Sequence, residues 1–403
     1  MSQSAPDPSV AGIKVLPDDI EKLLPVESPA ALSGGITLTA NDSLRTSPYL
    51  NHKIRNICLI LSVMVVLNHS RTLDFEYGRD GIVLSPLSPE QIVKAPFEIG
   101  FQHLLSGAMG RITNPFFFMA SGFLFFFAWK PTVPSWSGKI RKRIYTLVLP
   151  YLVWSFIGKS MNYLLYLVDN ASLFGEGAES GPVSTWEVIK FFLHMPLPPQ
   201  LWFLRALMVI ILFTPLLAGV IRVLREKTLL LILAFYLSPF QTPWGELSKS
   251  AICFFAVGAT LGFVKADLTL RTRGMQKSLF GIWIALAGSY SLLSMFSSWD
   301  LSLLFHCMVI FGITGIWAMY DLLPESVHAW LSGYAPYRFF IYMASEPLLT
   351  ILQYKYFELI RPSQLNDMVE YLGLPFFVVL LCGTTGYLLR RRAERFYLFL
   401  SGG

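Results

Sequence analysis

Ten apolar blocks follow one another between residues 55 and 389, and they restrict this chain more than any other feature. A run of about 18 or more apolar residues is long enough to cross the hydrocarbon core of a bilayer as a helix. The expected fold is therefore all-α: a polytopic transmembrane helix bundle of about ten spans. They lie near 55–70, 112–129, 144–168, 201–222, 228–244, 249–266, 278–296, 301–322, 337–356 and 371–389. The fifth is the weakest, being short and broken by Pro239. Composition agrees, with 54% hydrophobic and 14% charged residues where an average soluble chain carries roughly 25% charged.

Charge orients the blocks. The segments "KIRKR", "RVLREK", "RTRGMQK" and "RRRAER" alternate with "DNASLFGEGAES", "WGELSKS" and "SSWD", in which acids match or exceed bases. Lys and Arg collect on the cytoplasmic side of a membrane. The basic segments are then cytoplasmic, and an even number of spans puts both termini inside. The loop at 323–336, with no Lys or Arg, does not contribute. The net charge of +6 follows from this topology and gives no reason to expect nucleic acid as a partner; the partner is the lipid bilayer.

Residues 1–53 read as a disordered cytoplasmic tail, rich in Pro, Ser, Ala and Gly. Residues 54–390 hold the spans, and 391–403 a short basic cytoplasmic tail. The first apolar block starts only near residue 55, which argues against a cleavable signal peptide. Cys58, Cys253, Cys307 and Cys382 all lie within apolar blocks; no pairing or metal-binding spacing joins them.

The first block, "RNICLILSVMVVLNHS", opens on Arg55 and ends near His69. Fourteen helical steps separate the two, about 21 Å along the axis and within about 40° in direction. One helix face thus presents a cation below and an imidazole above. Arg55 is equally well read as a side chain reaching headgroups. Ionisable groups inside spans tend to be functional, and an imidazole near neutrality suits a proton acceptor.

Other polar groups point the same way. Arg111 opens the second block, and Trp202 and Arg205 open the fourth at i, i+3 spacing, on one face. His306 reads as a satisfied core residue, and Ser345 has no nucleophile-elbow context. Glu346, followed by Pro347, stands in the middle of the ninth block. A carboxylate there needs a partner or a wet cavity; a structural Glu–Arg pair is the alternative. The cluster Lys139, Arg141, Lys142 and Arg143 precedes the third block. It fits positive-inside topology, and equally a phosphate site with Arg as a bidentate clamp.

Four stretches together resemble the acyltransferase family 3 of integral membrane proteins: "RNICLILSVMVVLNHS", "NPFFFMASGFLFFF", "KIRKRIYTLVLPYLVWSF" and "LWFLRAL". "IYMASEPLL" is similar to the family's late span. The likeness covers roughly residues 50–390 in order. It departs from the family's pattern in two places. Thirteen residues separate Arg55 from His69 where the family usually has ten, and Ser345 stands where a His is common.

The resemblance implies a bacterial inner-membrane O-acyltransferase with no bound cofactor. It would take an acyl group, typically acetyl, from cytoplasmic acyl-CoA to a hydroxyl of a surface or lipid-linked polysaccharide. In that reading His69 and Glu346 are the catalytic candidates. Arg55, Arg141, Lys142 and Arg143 hold the donor's phosphates, and Arg111, Trp202 and Arg205 line the acceptor or oxyanion side. The alternative is a secondary transporter or exporter of a sugar or lipid-linked saccharide, since intramembrane Arg, Glu and His also mark substrate paths.

Overall fold

A computed structural model describes residues 48–71, 76–78, 81–83, 96–127, 133–169, 199–240, 242, 248–270, 272–297, 299–360 and 363–402. Residues 1–47, expected to form the tail, and residues 170–198, with most of the acidic segment "DNASLFGEGAES", lie outside these residues.

The described chain is helical apart from one two-stranded antiparallel ribbon. Helix α1 (Pro48–His69) is followed by that ribbon, β1 (Glu76–Gly78) and β2 (Gly81–Val83). Next, α2 (Pro96–Gln102) passes through a π-turn (His103–Ala108) and a 3₁₀ turn (Met109–Ile112) into α3 (Thr113–Phe127). Helix α4 (Val133–Arg143) runs through a second π-turn, Ile144–Val148, into α5 (Leu149–Asp169). Then come α6 (Trp202–Leu212), α7 (Thr214–Leu224), α8 (Thr228–Leu237) and α9 (Lys249–Phe263). The remaining helices are α10 (Arg273–Phe296), α11 (Ser302–Leu322), α12 (Glu325–Tyr334), α13 (Arg338–Leu359), α14 (Gln364–Arg392) and α15 (Glu394–Ser401).

Every one of the ten apolar blocks falls on a helix, with different ends. Among the described residues, five helical stretches are long and apolar enough to cross a membrane: 48–69, 136–161, 273–296, 302–322 and 364–392. A sixth is obtained if the pair 202–212 and 214–237, bent by 61°, counts as one. The rest fall short for local reasons. α3 and α9 have 15 residues each, while α13 carries Arg338, Glu346 and Lys355. The bend near Phe213 splits the fourth block just before Pro215, and the fifth ends at Leu237, before Pro239; proline cannot sit inside a helix without losing a hydrogen bond. Two stretches read as loop or tail are helical. α12 occupies most of 323–336, and α15 buries Tyr397 and Leu400, the latter accepting a hydrogen bond from Trp154 Nε1 at 3.0 Å.

Close packing in the middle of the bundle depends on small residues. Gly122 of α3 and Gly258 of α9 lie so near the opposing backbone that a Cβ on either would collide with the Phe255 or Met119 carbonyl. In a bilayer, where apolar surface alone gives helices no reason to associate, this close approach and polar contacts hold a bundle together.

Those polar contacts fasten α1 at both ends. At its start Lys53, 2% exposed, pairs with Asp321 of α11 at 2.6 Å, and Tyr49 donates to the same carboxylate. Asn56 donates to the Tyr320 hydroxyl at 2.9 Å and to Ser332 of α12 at 3.0 Å. At its far end Asn68 donates to the Gly110 carbonyl at 3.3 Å and Ser70 to the Tyr371 carbonyl at 2.9 Å.

Candidate functional site

The fastened end of α1 aims His69 at α13. Its Nδ1 lies 3.3 Å from Oε1 of Glu346, the imidazole 30% exposed and the carboxylate 8%. The two candidates singled out from the sequence are therefore in contact, although 277 positions separate 69 from 346. A carboxylate against Nδ1 fixes the proton on that nitrogen and leaves the Nε2 lone pair as the basic position.

The surroundings hold the carboxylate in place. One turn before Glu346 on α13, Tyr342 donates its hydroxyl to the Gln200 carbonyl at 2.6 Å, and Gln200 Nε2 returns a bond to the Tyr342 carbonyl at 3.3 Å. One turn after it, Thr350 donates to Glu346 Oε1 at 3.4 Å. The rings of Phe117, Phe203 and Tyr342 pack mutually at 5.7 to 6.2 Å between centroids. This joins α3, α6 and α13 into one apolar wall. Ser345, buried beside Glu346, bonds to the Tyr342 carbonyl at 3.3 Å, the ordinary back-bond of a helical serine.

The other candidates lie on several elements. Arg205 is buried on α6 within electrostatic reach of Tyr151 on α5. Half-buried Trp202, one turn earlier, packs its ring 6.2 Å from Phe118. Arg111 turns toward the stretch that precedes α3, its Nε donating to the Gly107 carbonyl at 3.4 Å. It stands near Arg71 and His103. Burial, with the Arg71 and Arg111 guanidiniums beside it, pushes the His103 imidazole down to about 4. His306 packs edge-on against Tyr236 at 4.5 Å.

At the opposite end of α1 the cations regroup differently from the sequence expectation. Arg55 lies within electrostatic reach of Arg338 at the start of α13 and Arg390 at the end of α14. Arg141 and Lys142 are exposed on α4, Arg143 is half-buried, and Lys139 caps the Phe125 carbonyl of α3. Arg338 and Arg390 were not candidates from the sequence. Three helices bring them to Arg55, and only the basic run "RRR" hinted at one of them.

The arrangement offers a general base with an orienting carboxylate in an otherwise apolar setting, and an anion-attracting group of three guanidiniums on the side of Arg55. Comparisons with known proteins address the chemistry. The acyltransferase domain family designated acyltransferase 3 matches residues 57–387. The chain is also 26% identical over 311 residues to the succinoglycan biosynthesis protein ExoH of Rhizobium meliloti (strain 1021), covering 74% of this chain and 80% of that protein. No solved structure matches.

Proposed function

Because the chain belongs to the acyltransferase 3 family, and so transfers acyl groups, we propose that it moves an acyl group, acetyl in the simplest case, from cytoplasmic acyl-CoA to a hydroxyl of a surface or lipid-linked polysaccharide. The relative named for succinoglycan biosynthesis supports a glycan as acceptor. Family membership sets aside the carrier without chemistry. The ten-span scheme, with both termini cytoplasmic in a bacterial inner membrane, is part of this reading. The charge alternation along the chain supports it.

The observation that carries the proposal is the contact of His69 with Glu346 at 3.3 Å. An ionisable pair among apolar helices is costly and marks function by default. In the proposed reaction Nε2 of His69 removes the proton from the acceptor hydroxyl as its oxygen attacks the thioester carbonyl. The tetrahedral oxyanion that forms needs a cation to stabilise it, and Arg205 and Arg111 are the candidates for that role. It collapses by expelling the CoA thiolate, which takes up the proton held on His69 Nε2, so that free CoA leaves and the base is restored. Glu346 keeps the imidazole in the productive tautomer and balances its charge while it is protonated. Arg55, Arg338 and Arg390, with Arg141, Lys142 and Arg143 on the same side, hold the donor's phosphates.

The test is transfer of label from isotope-labelled acetyl-CoA to polysaccharide in membrane vesicles. His69→Ala and His69→Asn should abolish it at unchanged membrane levels. Full transfer by either variant would remove His69 from the mechanism.

A further inference from the structure

One cavity lies away from the His69–Glu346 pair, neither residue being in its lining. It is a cleft of about 440 Å³ between α8, α9, α10 and α11, with Met119 of α3 at its back. Its sides are Leu229, Ile232 and Leu233 of α8, Val257 and Leu261 of α9, and Ile313 of α11. One end is shut. There the Tyr236 ring meets Phe254 at 5.2 Å and His306 at 4.5 Å, and Lys249 ties α9 to the Ser238 carbonyl at 2.8 Å.

The other end is bounded by the segment Asp267–Leu270, which is held in position. Trp317 Nε1 donates to the Leu268 carbonyl and Gln276 Nε2 to the Leu270 carbonyl, both at 3.0 Å. Polar side chains gather at this end and basic ones surround it. Lys227 stands two residues before the lining Leu229, and Lys265 two before Asp267. Arg273 and Lys277 begin α10, two turns and less from the lining Leu279. All four are exposed; Glu226 and Asp267 are the acids among them.

We propose that this cleft binds one acyl chain of an anionic phospholipid from the cytoplasmic leaflet, its phosphate held by the Lys227, Lys265, Arg273 and Lys277 rim. The inference rests on the orientation proposed above for its choice of leaflet. A cleft lined this way does not hold water, which needs polar partners. In a bilayer its natural occupant is a hydrocarbon chain. Leu233 of α8, which lines the cleft, is exposed, as are Leu230 and Leu231 beside it. The shut end and the charged end give the site a direction: tail toward Tyr236, headgroup toward Asp267–Leu270. Basic clusters at the membrane surface select anionic lipid. A carrier lipid of the acceptor, working near His69, would belong to the opposite leaflet, whereas this cleft opens toward the basic loops.

The experiment uses the full-length protein in nanodiscs with phosphatidylglycerol or phosphatidylcholine bearing a photoreactive acyl chain. The phosphatidylglycerol probe should label peptides within 229–236, 253–261 and 310–317. Unlabelled phosphatidylglycerol should compete and phosphatidylcholine should not. Val257→Trp and Ile313→Trp, each filling the cleft, should remove that labelling. Each of Lys227→Gln, Arg273→Gln and Lys277→Gln should cut the headgroup preference roughly fivefold, and being on the surface they report even if a tryptophan variant misfolds. Labelling spread evenly over exposed apolar positions such as Phe156, Val223 and Phe376, or equal competition by both lipids, would overturn the proposal. The leaflet is read separately, from the side on which a membrane-impermeant thiol reagent reaches Lys227→Cys. Labelling of the cleft with Lys227→Cys reached from outside would refute the orientation and keep the lipid site.

Discussion

Glu346→Gln is the sharpest probe of the proposed chemistry, because it changes charge with almost no change in shape. The carboxylate is 8% exposed and its Oε1 sits 3.3 Å from His69 Nδ1. Opposite charges near 4 Å interact by about 4 kcal/mol at an effective dielectric of ~20. That attraction is fully present only while the imidazole carries the proton taken from the acceptor, so it belongs to the transition state. At about 1.4 kcal/mol per tenfold in rate, losing all of it would cost roughly 10³. The amide dipole retains a part, and the expected fall in kcat is about 10²–10³, within the range of general-base effects. KM for acyl-CoA should stay close to the wild-type value, since the donor's binding groups are untouched. The assay is initial-rate transfer of labelled acetyl from acetyl-CoA in vesicles, normalised to protein level and thermal stability. A Glu346→Gln variant with near wild-type kcat, or one altered only in KM, would refute the assignment of Glu346 as the partner of a catalytic base.

Other consequences of the structure can be checked in the same preparations. Arg338→Gln and Arg390→Gln should each raise KM for acyl-CoA by roughly 10–100-fold with kcat unchanged, the value of a charge-assisted hydrogen bond; unchanged KM in both would move the donor site away from Arg55. Gly110→Val should press on Asn68, whose amide occupies the space a Cβ would take. It should cost about 1–3 kcal/mol by overpacking and reduce transfer by shifting the end of α1; wild-type activity would show that this anchor is dispensable. Asp321→Ala should lower thermal stability by about 3–5 kcal/mol by stranding a buried lysine, and Lys53→Met added to it should restore much of the loss. His103, held near 4 by burial and two arginines, is neutral in the folded protein through pH 5–8. His103→Gln should therefore leave the pH–rate profile unchanged over that range. Its depressed value also predicts that acid destabilises the fold: between about 6.5 and 4 the unfolded chain takes a proton that the folded site refuses. His103→Gln should flatten that part of the stability curve, and an unchanged slope would contradict the buried placement.

Much of the helical layout could be read from the sequence because apolar blocks in a bilayer have few ways to satisfy their backbones. The facing of Arg55 and His69 also followed from helix geometry, and both now meet elements that include α13: Arg55 near Arg338, His69 against Glu346. Long-range polar pairing was not legible. Nothing local to Lys53 names Asp321, and nothing local to Arg55 names Arg390, because each pairing is set by which helices pack together. The stretch 96–112 was also missed. It lies outside the long apolar blocks, yet it buries Glu98, Gln102, His103 and Ser106, with Ser106 and the Tyr371 hydroxyl 2.7 Å apart. Its mixed composition gives no clean periodicity, and its helix is interrupted by a π-turn and a 3₁₀ turn. By length and hydropathy alone five or six of the ten expected spans stand out among the described residues, because length, hydropathy and continuity are separate properties: α3 and α9 are short, α6 to α8 are bent or short, and α13 carries charge.

The residues on either side of His69 explain why the imidazole is where it is. Successive helix positions differ by about 100°, so Asn68 and Ser70 project to either side of the direction in which His69 points. Each is fixed to a different element: Asn68 to the turn preceding α3, and Ser70 to α14. Rotation of α1 about its axis would break one bond while compressing the other. At the opposite end, Lys53 and Asn56 hold the helix to α11 and α12. The apolar middle of α1 packs well but sets neither rotation nor height, since lipid and neighbouring helices are equally apolar. Polar bonds at the two ends therefore set both, and His69 meets Glu346 without a further adjustment of the backbone. If His69 is the base proposed above, an imidazole held this way has little orientational freedom left to lose on binding an acceptor, which is the condition for large effective molarity at a reacting centre.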